Sequence, residues 1–182
     1  MPDRIGRVAL AIAAIIVSVA VSAADRYDLG RPATPAEIAG WDIDASPSGA
    51  GLPPGHGDVR QGEAIFAAKC ASCHGAHGEG KPMDRLVGGI GTLHDKKPEK
   101  TVGSFWPYAT TLFDYVHRAM PLNAPQSLTP AEVYAVSAYV LFLNGIVTQN
   151  TTLDADTLAK IKMPNREGFV SAYPTPSASA KP

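Results

Sequence analysis

The chain has 182 residues, with 16 Lys and Arg against 17 Asp and Glu, and so carries a net charge of −1. That balance excludes the basic excess on which nucleic-acid binders depend. Charged residues make up 18% of the chain, below the usual share of about 25%, and 17 Gly with 16 Pro indicate a single loop-rich domain rather than a charged helical bundle.

The chain opens on Arg4 and Arg7, followed by an apolar run from Val8 to Val21 and the small residues Val21-Ser22-Ala23. The run is shorter than the roughly 20 residues of a membrane helix. A charged start, a short apolar stretch and a small-residue site together predict a secretory signal peptide over 1–23, with an uncleaved anchor as the alternative. Residues 24–57 are rich in Pro and Gly and lack periodicity, apart from a short candidate helix from Thr34 to Ala39. An irregular stretch of that length is expected either to wrap the domain surface or a partner, with Trp41 as an anchor, or to be a flexible arm.

From Val59 to Lys69 the spacing predicts a helix with Gly62, Phe66 and Cys70 on one face, the glycine allowing close approach at a crossing. The helix runs into Cys70-Ala71-Ser72-Cys73-His74, the C-x-x-C-H spacing of covalent c-type haem attachment. Two thiols about one helical turn apart can each add across one vinyl group of the same porphyrin edge, and the adjacent histidine then lies under the iron. Two other chemistries use cysteines so spaced. A thioredoxin-like pair wants its motif at the start of a helix in a strand-helix context, whereas here the motif ends a helical segment. A zinc site from Cys70, Cys73 and two of His56, His74 and His77 has suitable donors, but requires no Cys-His adjacency.

Further along, Lys96, Lys97 and Lys100 form a small basic cluster interspersed with acids, read as a solvated loop or a docking patch. Arg85 and Trp106 are candidate partners of a haem propionate. A helix is predicted from Thr110 to Ala119, after which Pro121 turns the chain and lets Met120 present its thioether from a loop. Met83 is too near His74 to reach the opposite face of a haem. Met120 is therefore the candidate distal ligand, with His117 and Met163 as alternatives. Thr129-Pro130-Ala131-Glu132 is a capping box with proline at the first helical position; it starts a helix that ends at Asn144-Gly145, and Tyr139 or Phe142 can pack across Gly62 and Phe66. The end of the chain, from Tyr173 to Pro182, is a Pro/Ser/Ala-rich tail with the composition of a disordered segment.

A helix, the C-x-x-C-H turn, a methionine loop and a C-terminal helix, spanning Asp58 to Gly145, together resemble the class I cytochromes c. The resemblance implies an all-α fold with crossing terminal helices around one haem c over 58–147, flanked by irregular extensions at 24–57 and 148–182. Cys70 and Cys73 would form the thioethers, His74 would be the proximal ligand and Met120 the distal one. The family often holds the ring N–H of the proximal histidine with a proline carbonyl; Pro82, in Lys81-Pro82-Met83-Asp84-Arg85-Leu86-Val87-Gly88-Gly89, is the nearest equivalent.

Leu29-Gly30-Arg31-Pro32-Ala33-Thr34, Trp41-Asp42-Ile43-Asp44, Gly51-Leu52-Pro53-Pro54-Gly55, the stretch from Phe105 to Tyr115 and Met163-Pro164-Asn165-Arg166 look more narrowly like the cytochrome c subunit of bacterial sulfane or sulfite dehydrogenases. That resemblance implies a periplasmic electron-transfer subunit, not a catalyst by itself. It would take electrons from a molybdenum-cofactor subunit of the sulfite-oxidase type and pass them to an acceptor such as another cytochrome c. Some relatives carry two haems; this chain has one C-x-x-C-H. A free-standing electron shuttle, or a haem enzyme or sensor with an open distal position, are the other readings.

Overall fold

The computed structural model describes residues 30–170 and 172–173. The expected signal peptide and nearly all of the expected tail lie outside the described residues. The chain divides into two units, Met1–Ile38 and Ala39–Pro182. In the described part of the first, Thr34 caps the start of helix α1 (Pro35–Trp41): its hydroxyl accepts from the Glu37 N–H, and the Glu37 carboxylate returns the bond to the Thr34 N–H at 2.8 Å. The Arg31 guanidinium grips both oxygens of that carboxylate and, with the Thr34 bonds, holds Glu37 down at about 2.

The second unit runs β1 (His56–Asp58), α2 (Val59–Lys69), α3 (Ala71–His74), a 3₁₀ turn (Thr92–His94), α4 (Val102–Phe105), α5 (Ala109–Ala119), α6 (Pro130–Leu143), β2 (Thr152–Asp154) and α7 (Ala155–Leu158). Its centre is α6, in which every residue from Val133 to Leu141 is buried. A helix apolar all round belongs inside a domain, not on its face. Its start is set by the expected capping box, in which Thr129 and Glu132 satisfy each other's backbone N–H groups behind Pro130. α2 begins on a second capping box between Asp58 and Gln61.

The α2–α6 crossing forms at Gly62. A Cβ there would run into the Ala135 carbonyl and come within 2.8 Å of Tyr139 Cβ. Tyr139 rather than Phe142 makes the aromatic contact, its ring 5.4 Å from that of Phe66. Phe113 and Tyr134 tie α5 to α6 on another side, with ring centroids 4.5 Å apart.

The flanking segments, though irregular in sequence, are built into this core. β2 pairs antiparallel with β1 in the register His56↔Asp154, Gly57↔Leu153, Asp58↔Thr152. That pairing carries Leu153 and Leu158 into full burial. On the N-terminal side, Ala45 and Leu52 pack against the core, and the Tyr134 hydroxyl donates to the Pro53 carbonyl at 2.8 Å. This stretch wraps the domain surface, and Trp41, 82% exposed, does not anchor it there. Among the described residues no helix is long and apolar enough to cross a membrane.

Candidate functional site

Cys70 ends one helix and begins the next. Its N–H donates to the Phe66 carbonyl at 2.8 Å, closing α2, while its own carbonyl accepts from Cys73 at 3.1 Å and His74 at 3.0 Å, opening α3. The five-residue motif is thus one helical turn, which puts both thiols and the imidazole on a short arc. Neither cysteine is in a disulfide; Cys70 is half-buried and Cys73 exposed. Burial pushes the Cys70 thiol up to about 11, against a smaller downward pull from Lys69 and a further upward push from Cys73. A thioredoxin-like nucleophile needs a depressed thiol, so this environment opposes that chemistry. Among the described residues no three His, Cys, Asp or Glu side chains converge to hold a metal ion, which leaves the zinc alternative without a donor set.

The chain then folds back over the turn it has just made. Gly75, at φ +84°, breaks α3; a side chain at this position would meet the Glu79 carboxylate at 2.5 Å. The Gly80 N–H donates to the His74 carbonyl at 2.7 Å and the Met83 N–H to the Cys73 carbonyl at 2.9 Å. This return brings the Asp84 carbonyl to 2.8 Å from His74 Nδ1. A carbonyl can only accept, so Nδ1 carries a proton, and in the neutral ring Nε2 is the nitrogen with the lone pair.

The acceptor is therefore Asp84, not Pro82. The reason lies in the two backbone bonds just named, which spend Gly80 to Met83 on the reversal itself and deliver the next residue to the ring. Beyond it, Asn144, only 8% exposed, accepts from the Gly88 N–H at 3.1 Å and donates to the Leu86 carbonyl at 3.2 Å and the Val140 carbonyl at 2.9 Å. The residue expected merely to stop a helix also fastens the loop that follows Asp84. Arg85 is paired with Glu99 and donates to the Glu79 carbonyl at 3.1 Å. Trp106 stands edge-on to Tyr115, 5.7 Å between centroids.

Met120 caps α5, its N–H donating to the Val116 carbonyl at 3.1 Å, and its half-buried side chain packs against the core. Of the alternatives, Met163 is 3% exposed within the core cluster. His117 lies against the Phe113 ring at 5.6 Å, and its buried Nδ1 has no hydrogen-bond partner. Met83 and Ile90 in the loop after the motif, Tyr115 on α5 and Leu122 just past Met120 are large apolar residues left exposed. The segments bearing His74 and Met120 thus each leave large apolar residues exposed, and the first also carries an imidazole and two thiols outside any disulfide. That donor set suits a large apolar macrocycle attached through sulfur.

Comparison with known proteins agrees with this chemistry. The family model for cytochrome c matches residues 59–144. Among solved structures, a chain of the sulfane dehydrogenase SoxCD from Paracoccus pantotrophus is similar to this one, with 45% sequence identity and a TM-score of 0.74. The match covers 83% of this chain and 73% of that one. No curated protein matches. A C-x-x-C-H turn, a crossing of two helices at a glycine and these two matches show that the chain belongs to the cytochrome c family, whose cofactor is covalently attached haem c.

Proposed function

We propose that the protein is the electron-accepting cytochrome subunit of a periplasmic, molybdenum-dependent sulfur-compound dehydrogenase. In this reading Cys70 and Cys73 carry the thioethers, His74 is the proximal ligand and Met120 the distal one, and the mature chain begins after Ala23. The observation that carries the site is the His74 Nδ1–H bond to the Asp84 carbonyl, which leaves Nε2 available on the same turn as two unpaired thiols. The 45% identity to a sulfane dehydrogenase chain supports the partner.

Haem c bound there would supply a one-electron couple; His74 and Met120 are the residues that would hold its iron, and a His/Met pair raises the potential. The protein's work is positional. The Asp84 carbonyl fixes the tautomer and plane of the imidazole, and because this acceptor is neutral it does not draw the ring toward imidazolate as a carboxylate would. Phe66, Tyr139 and the apolar face of α6 exclude water behind the turn. A substrate oxidised by two electrons at the partner would deliver them here singly.

The reading is tested by low-salt purification of the tagged protein from its native periplasm. A molybdenum protein in near-stoichiometric amount, with haem reduction on adding sulfite or a sulfane-sulfur donor, is expected. A lone redox-active cytochrome that neither donor reduces would contradict it.

A further inference from the structure

The geometry points to a tether on the distal ligand: the N-terminal segment at Asp44–Ala45, clamped by Arg118 and Asp114, restrains the last turn of α5 and sets how readily Met120 leaves the iron. The inference rests on the assignment of Met120 above. Arg118 lies two residues before Met120 and reaches two carboxylates at once. Its Nη2 donates to Asp44 Oδ1 at 2.5 Å and to Asp114 Oδ1 at 2.8 Å, while Nε approaches Asp114 Oδ2 at 3.4 Å. Asp114 Oδ1 also accepts the Ala45 N–H at 2.9 Å. One carboxylate thus joins the helix and the segment directly, and the guanidinium joins them a second time.

A tether is useful only if its far end is fixed, and this one is. Ser46 donates to the Ala50 carbonyl at 2.9 Å, and Gly51 has φ +86° with the Asp44 carbonyl in the space a Cβ would need, so the loop closes on itself just behind Asp44. At the loop tip Gly49 lies so near Ala159 that a Cβ would come within 2.9 Å of that methyl group. A few residues on, the Tyr134 hydroxyl holds the Pro53 carbonyl. The segment therefore spans from the end of α5 to α6 and the chain following α7. When a methionine dissociates from a haem iron, the loop carrying it must move, and here movement of the α5 terminus breaks the Arg118 bridges.

The test uses the full-length ferric holoprotein, titrated with imidazole while the far-red methionine-iron band is followed. Arg118→Gln is expected to take up imidazole about two- to five-fold more tightly, the scale of one partly exposed ion-pair network. Asp44→Asn should move the same way by less, and high salt should bring the unsubstituted protein toward the variants. Asp58→Ala, which removes the α2 cap and costs comparable global stability, should leave imidazole affinity unchanged. Equal affinity in Arg118→Gln and the unsubstituted protein, with the band intact, would overturn the tether alone, as would an equal shift in Asp58→Ala. Absence of the band from the unsubstituted protein would overturn the Met120 assignment and the tether with it.

Discussion

In the proposed assignment, the two sides of the haem site are built by different means. On the proximal side, the groups that contact His74 come from one contiguous stretch: Phe66 to Asp84 makes its own turn, reverses over it through backbone bonds and supplies the acceptor, with Asn144 fastening the loop beyond it. On the distal side, Met120 leaves a helix whose last turn is held by Ala45, 69 positions from Asp114, and by Asp44, 74 positions from Arg118. A ligand held by its own loop stays put as long as that loop folds. A ligand held through distant side chains can be loosened without disturbing the rest. With Met120 as the distal ligand, this asymmetry would confine ligand exchange to one face.

The contrast can be broken most forcefully by removing each ligand in turn. His74→Ala is expected to abolish the low-spin spectrum and leave little stable holoprotein, measured as haem retained on a denaturing gel and as visible absorbance. Met120→Ala should keep its covalent haem but lose the far-red band, gain carbon monoxide binding when reduced, and fall in midpoint potential. Comparable loss of covalent haem in both variants would contradict the asymmetry.

Behind the proximal side, Phe66→Ala should cost about 3–5 kcal/mol, because its ring fills the α2–α6 crossing beneath the motif; denaturant unfolding of the holoprotein measures this. Asn144→Leu should cost about 1–3 kcal/mol by leaving the Gly88 N–H and the Leu86 carbonyl without their partner. It should also speed exchange of the His74 Nδ1 proton, observable by nuclear magnetic resonance. Unchanged exchange would mean that the return loop holds Asp84 without help from α6.

Much of the proximal half was legible because it is written in local patterns. C-x-x-C-H demands one turn of helix, Gly62 marks the crossing four residues before Phe66, and Thr129 to Glu132 names the start of α6. The distal tether was not legible. Asp114 and Arg118 at helical i, i+4 spacing read as an ordinary surface pair, and nothing in Asp44 or Ala45 says which helix they meet. The three-residue strands His56–Asp58 and Thr152–Asp154 are too short to show alternation, so the return of the C-terminal segment to the core, with Met163 buried in it, had no sequence signal. The Asp84 acceptor was missed for a different reason. A carbonyl belongs to every residue, and only the path of the loop decides which one reaches the ring.

The smallest expected effect concerns acid. Burial raises the Asp114 carboxyl, but the Arg118 bridge and the Ala45 N–H outweigh it and hold the group below its ordinary value. A depressed folded-state value means that its stabilisation is complete above the unfolded carboxylate value of about 4 and is lost as pH falls through the lower folded value. Asp114→Asn should therefore cost no more than about 1 kcal/mol near neutral pH, and the difference from the unsubstituted protein should shrink toward pH 2. Thermal unfolding across that range measures it.

The most direct test of the central claim, a haem closed on both faces by His74 and Met120, is carbon monoxide uptake by the reduced full-length protein, recorded alongside the ferric far-red band. A band in the ferric protein and no rapid uptake by the reduced one, both reversed in Met120→Ala, is the predicted result. Rapid uptake by the unsubstituted protein, or a Met120→Ala variant indistinguishable from it, would contradict the account.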